Sequence, residues 1–239
     1  MFKYTQKSYH LLSDKNKFKE AHTISNIFSL LKILMLCALF PFLEMAAQDL
    51  KFSSSYFDKI TTNEGLSSNM TRAIIQDKEG FIWMGTSNGL NRFDGKNFRI
   101  FRHDWDNPNS ISDSHINCLL EDSKGFFWIG TMRGGLCRYR EDGTFDVFRH
   151  HPDIPNSISD NQVHCIYEGR KGELWIGTQN GLNKFDYEKE HFESYIHNPA
   201  DSNSLSQQPV LSILEDRNER LWVGTWAGGM SLFIPPNTI

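Results

Sequence analysis

Trp128-Ile129-Gly130-Thr131 is one of four copies of a single tetrapeptide; the others are Trp83-Met84-Gly85-Thr86, Trp175-Ile176-Gly177-Thr178 and Trp222-Val223-Gly224-Thr225. The copies recur at intervals of about 45 to 47 residues, the period of propeller and solenoid repeats. With the tryptophans aligned, Leu66, Ile111, Ile158 and Leu205 fall into register, each followed by a serine. An alternating segment such as His115 to Leu120 comes next and reads as a strand. A turn follows, opened by Asp77, Asp122 or Asp216 in three repeats and closed by Gly80, Gly125 or Gly172, with Glu219 in the fourth. The Trp motif forms a second strand. Asn88-Gly89, Gly134-Gly135, Asn180-Gly181 and Gly228-Gly229 are hairpin turns into a third strand. Phe98 and Phe101, Phe145 and Phe148, and Phe192 and Tyr195 mark a fourth.

The expectation is an all-β fold, a partial β-propeller of four four-stranded blades with a period of about 46 residues, covering 62–107, 108–154, 155–201 and 202–239. The tryptophans are expected to be wedges between stacked blades, because that core needs large volume at every repeat. Ten residues before them stand Ala73, Cys118, Cys165 and Ser212, whose shared property is small size, so tight packing explains the two cysteines better than redox or metal chemistry.

Residues 48–61 read as an amino-terminal closing strand, centred on Phe52 to Ile60, which could complete the fourth blade. The last repeat ends at Phe233 and Ile234-Pro235-Pro236 without a fourth strand of its own. Either four blades close alone, or the chain is the amino-terminal piece of a larger ring, which is the favoured reading.

Residues 1–47 read as a basic leader followed by an apolar stretch within Ile27 to Leu43 and small residues at Ala46-Ala47, the three parts of a secretory signal cut after Ala47. A membrane anchor at residues 27–43 is the alternative, although the uninterrupted apolar run falls short of the ~20 residues that span a bilayer. Leu36 before Cys37 argues against lipid attachment there. Beyond the leader the net charge is about −7, which disfavours nucleic acid as a partner. An odd number of cysteines beyond the leader describes no disulfide framework.

The run from Asn109 to Tyr139, with Asn-Ser-Ile-Ser-Asp, Glu-Asp, Lys-Gly, Trp-Ile-Gly-Thr, Gly-Gly-Leu and Arg-Tyr in order, resembles the two-component regulator propeller repeat. The resemblance covers about residues 50 to 234. It implies the exported sensor of a hybrid two-component protein, in which two seven-bladed propellers and a β-sandwich precede a membrane helix and a cytoplasmic kinase. It also implies a periplasmic location and an oligosaccharide or other small-molecule ligand. The sequence carries no phosphoacceptor histidine motif, ATP-lid glycine motif, receiver or DNA-binding domain, so it reads as the sensing part and not as an enzyme.

In an up-and-down blade the loop entering the first strand and the loop between strands two and three emerge on one face. Those loops vary while the turns opposite stay alike, so recognition is expected there. Arg133 offers a fork for a carboxylate or sulfate and Trp226 a flat face for a sugar ring, with Asn69, Asn88, Asn161 and Asn180 as further candidates on the same loops. No catalytic residues, cofactor or metal site are expected. Asp104, Asp106 and Asn107 lack calcium-loop spacing, and His103, His150 and His197 sit on separate repeats. A competing reading is a free-standing periplasmic interaction module that closes alone or pairs with a second chain; an enzyme on a propeller scaffold is a third.

Overall fold

A computed structural model describes residues 57–234; the expected leader, most of the expected closing strand and Pro235 to Ile239 lie outside the described residues. Fifteen strands form four antiparallel sheets in chain order. The first blade is β1 (Thr71–Gln76), β2 (Ile82–Thr86), β3 (Gly89–Phe93) and β4 (Phe98–Phe101). The second is β5 (Ile116–Glu121), β6 (Phe127–Thr131), β7 (Leu136–Tyr139) and β8 (Phe145–Phe148). The third is β9 (Val163–Glu168), β10 (Leu174–Thr178), β11 (Gly181–Asp186) and β12 (His191–Tyr195). The fourth is β13 (Val210–Glu215), β14 (Leu221–Thr225) and β15 (Met230–Phe233). No helix of the described residues is long and apolar enough to cross a membrane.

The four-stranded expectation is corrected for the fourth blade, which has three strands among the described residues. Phe233 and Ile234 lead into two prolines, which have no N–H to donate to a ladder. Of the expected closing strand, Phe57 to Ile60 are described and are not in a strand.

Neighbouring blades meet through their first strands, β1 on β5, β5 on β9 and β9 on β13, so these are the innermost strands. Each Trp crosses the seam to the following blade. Trp83 packs on Phe127 and Tyr139, Trp128 on Phe185 and Tyr187, and Trp175 on Phe233. The first three are buried, whereas Trp222, with no following blade among the described residues, is half-buried.

The small residues have a register explanation. Ala73, Cys118, Cys165 and Ser212 pair directly opposite the motif glycines Gly85, Gly130, Gly177 and Gly224. A side chain on Gly85, Gly130 or Gly177 would run into Ile116, Val163 or Val210 of the next blade at 2.6 to 2.7 Å. A glycine and a small residue together make a socket, and a β-branched residue at the start of the next first strand fills it. Burial pushes the Cys165 thiol up to about 12 and raises Cys118 as well, in keeping with packing rather than reactivity.

Beside that socket every first strand shifts register, between Thr71 and Ala73, Ile116 and Cys118, Val163 and Cys165, and Val210 and Ser212. The residues skipped are Arg72, Asn117, His164 and Leu211. Such a bulge re-aims one side chain away from the regular ladder, and here it does so at the same level of all four innermost strands.

Candidate functional site: the loop face of the arc

The serine shared by the repeats anchors this face. Ser67 N–H donates to Asn91 Oδ1 at 2.9 Å, Asn91 Nδ2 donates to Ser67 Oγ at 2.8 Å, and Ser67 Oγ lies 2.8 Å from Thr86 Oγ1. Ser159, Asn183 and Thr178 repeat the arrangement. Cys137 takes the asparagine's place beside Ser112 in the second blade, and Ser231 takes it beside Ser206 in the fourth. A satisfied buried polar network ties each entry loop to the end of its Trp strand. The loops thus project from a fixed base.

The three histidines belong to the same scaffold. His103, His150 and His197 donate from Nδ1 to the carbonyls of Ile111, Ile158 and Leu205 at 2.7 to 2.8 Å. Among the described residues no group of three or more His, Cys, Asp or Glu could hold a metal ion. Around Asp104 the side chains close local turns, Asp104 Oδ1 accepting from Asp106 N–H and Asn107 Oδ1 from Asn109 N–H.

On this base the six residues expected from the sequence divide in two. Asn88 and Asn180 donate from Nδ2 to Ser67 O and Ser159 O at 3.4 Å, and Asn161 Oδ1 accepts from His150 N–H at 2.8 Å. Asn69 Oδ1 accepts from Thr62 N–H at 2.9 Å. Those four amides hold loops. Arg133 is exposed, its backbone N–H donating to Asp113 Oδ2 at 2.9 Å, and Trp226 is 73% exposed. Arg133 and Trp226 lie on the second and fourth blades, so the third separates them.

The bulge residues are what the sequence reading missed. Asn117 Nδ2 donates to Val163 O at 2.8 Å and contacts Met132 Sδ, while His164 Nε2 lies 3.1 Å from Gln179 Oε1. A bulge residue and the first residue of the strand two to three turn therefore meet within a blade, and Leu211 and Trp226 hold the same two positions in the fourth. Their signal was available: Arg, Asn, His and Leu follow one another at one repeat position between a β-branched and a small residue.

Charge is unevenly distributed along the arc. His115 feels Arg72, Asp113 and Arg133, and its pKa is lowered chiefly by burial, so the ring is neutral at pH 7. Its Nε2 and Asn117 Oδ1 are buried without a hydrogen-bond partner, which is uncommon in a finished interior. One end of the arc thus offers Arg72, Arg133 and unused polar atoms, and the other offers Trp226 beside a partly exposed Leu211.

An open cavity of about 310 Å³ lies elsewhere, between the third and fourth blades, against Trp175, Tyr195, Phe233, Lys171, Glu173 and Glu215. It reflects a missing side chain. Asp77, Asp122 and Asp216 accept the indole hydrogens of Trp83, Trp128 and Trp222 at 2.6, 2.7 and 3.0 Å, but Gly169 holds that position beside Trp175. Its charged lining pairs internally, Lys171 with Glu219 and Lys184 with Glu173, so the loop face is the better candidate.

Comparison with known proteins places this geometry. The two-component regulator propeller repeat matches residues 65–88, 110–133, 157–180 and 204–227. Two solved extracellular domains of putative hybrid two-component systems from B. thetaiotaomicron superpose with TM-scores of 0.67 and 0.60, at 28% and 27% identity over 73% and 76% of this chain. Histidine kinase P4 of Formosa agariphila is 40% identical over 74 residues, 31% of this chain. The chain spans 24% of each solved domain and 5% of that kinase.

Proposed function

The chain belongs to the two-component regulator propeller repeat family, and from that premise we propose that it is the ligand-sensing propeller portion of a two-component sensor, working outside the cytoplasm. Its ligand is an oligosaccharide fragment bearing an acidic group, taken up on the loop face. The arginines Arg72 and Arg133 hold the carboxylate or sulfate as charge-assisted hydrogen bonds. Trp226 stacks on a ring at the far end of the arc. Binding, and not catalysis, carries the signal; phosphoryl transfer belongs to a kinase region outside residues 57–234.

The observation that carries this reading is the contrast between a repeated base and an unrepeated face. The Ser-Thr-Asn network recurs from blade to blade while Arg72, Asn117, His164 and Leu211 differ in chemistry at one position, as a surface used for recognition would. Titration calorimetry with neutral and acidic oligosaccharides tests it. The expected outcome is binding of acidic fragments weakened about tenfold or more by Arg133→Ala, with Trp226→Ala weakening neutral and acidic fragments alike and neither variant shifting the melting temperature appreciably. Equal binding by both variants and the unsubstituted chain refutes the assignment. A second reading, an interaction module, is favoured by one observation, the apolar faces left exposed on the first and fourth blades.

A further inference from the structure

Each blade offers its successor the same set of contacts, and the fourth blade offers that set to nothing among the described residues. Leu90, Leu136 and Leu182 are 0%, 0% and 1% exposed, whereas Met230 at the same register position is 68% exposed. Ile75, Leu120 and Tyr167 pack into the seams that follow them, whereas Leu214 is 59% exposed. The first blade shows the converse. Leu119, Ile166 and Ile213 pack into the seams that precede them, and Ile74 in their place is 66% exposed.

The two faces also match in detail. Ile116, Val163 and Val210 fill the glycine sockets of the blades before them; the same position in the first blade is Thr71, β-branched and isosteric with valine, and the socket at Gly224 is unfilled by any other strand. Glu121, Glu168 and Glu215 end the first strands and accept from Lys78, Ser123 and Arg170 N–H of the preceding turns. Gln76 stands at that position in the first blade, with an amide oxygen suited to Arg217 N–H of the fourth. Ser114 and Asn161 carbonyls accept from Gly89 and Gly135 N–H at 2.6 and 2.9 Å, and Asn69 and Gly229 stand at the matching positions.

We propose that the fourth blade seats the first blade of a second copy of this chain, head to tail, so that two four-bladed arcs close into one eight-bladed ring. The contact is heterologous and, repeated twice, closes with two-fold symmetry; eight blades lies within the range that propellers adopt. The ring places the loop faces of both copies on one side. Nothing in the contact depends on the ligand.

Multi-angle light scattering of the purified full chain, with Ile74→Glu and Leu214→Glu variants, tests it; both positions are exposed, so the variants keep the fold, as melting curves will register. The expected result is twice the chain mass for the unsubstituted protein and the single mass for each variant. An equimolar mixture of the two variants should recover the double mass, because each retains the face the other has lost. Oxidation of the Ile74→Cys, Leu214→Cys double variant should link two chains. A single-chain mass for the unsubstituted protein, an open ladder of polymers, a mixture that stays monomeric, or a disulfide formed within one chain would each overturn the proposal.

Discussion

At the scale of the residue, the repeat tryptophan joins two kinds of bonding that usually conflict. Its ring has to be buried at the seam, and its indole N–H then needs an acceptor, which the turn aspartate supplies six residues earlier. Asp122 does more than its counterparts: it accepts from Trp128, Tyr187, Lys124 and Phe126. Trp128→Ala should cost about 3–5 kcal/mol, as large-to-small changes in a packed core do. Trp222→Ala should cost clearly less in the monomeric Leu214→Glu background, since its ring there meets no following blade; denaturant titration of both variants checks the ranking, and equal losses would contradict the wedge. In the fourth blade, Trp222 and then Arg220 hold the Asp216 carboxyl well below the usual carboxylate range. A depressed acid contributes stability that is present above its unfolded value, near 4, and is lost as pH falls below it. Asp216→Asn should therefore flatten the acid-side loss of stability below about pH 4, read as melting temperature against pH. An unchanged profile would assign the acid sensitivity to other carboxylates.

At the scale of the element, the strands and hairpin turns were legible because the signals are local: period-two apolar patterning, Asn-Gly and Gly-Gly turns, and a tryptophan that fixes the frame. Ala73, Cys118, Cys165 and Ser212 were legible as a size constraint, and pairing supplied its reason, the glycine opposite and the branched residue of the next blade. The aspartate and tryptophan pair was visible in three repeats as a spacing of six, yet the turn role of Asp explained it well enough that the second partner went unseen. The bulge residues were invisible for a deeper reason: a bulge is a property of two strands in register, and one strand's sequence does not show which residue its partner skips. The serine network was half legible. The serine repeats, but its partner alternates among Asn91, Cys137, Asn183 and Ser231, which share only small size and hydrogen-bonding ability. Of the six site residues expected, Asn69, Asn88, Asn161 and Asn180 are tied into loops, because an asparagine next to a tight turn finds backbone partners before it finds a ligand.

At the scale of the whole molecule, the repeat makes the blades nearly equivalent and leaves two places where equivalence ends. One is the pair of terminal faces, where residues buried in the interior repeats stand in solvent. The other is the loop face, where a fixed hydrogen-bonded base presents arginine and histidine at one end of the arc and tryptophan at the other. The opposite face repeats itself, with Glu121, Glu168 and Glu215 each closing the turn of the blade before it, and leaves little room for individual chemistry. The central claim is that recognition belongs to the variable face. Amide hydrogen exchange of the full chain, with and without a saturating acidic oligosaccharide, tests it most directly. The account predicts slowed exchange at the turns Met132-Arg133 and Gln179-Asn180 and at the entry loops around Asp113-Ser114 and Asp160-Asn161, with the turns at Asp77 to Gly80, Asp122 to Gly125 and Gly169 to Gly172 unchanged. Protection concentrated on those opposite turns, with the variable loops unaffected, would contradict it.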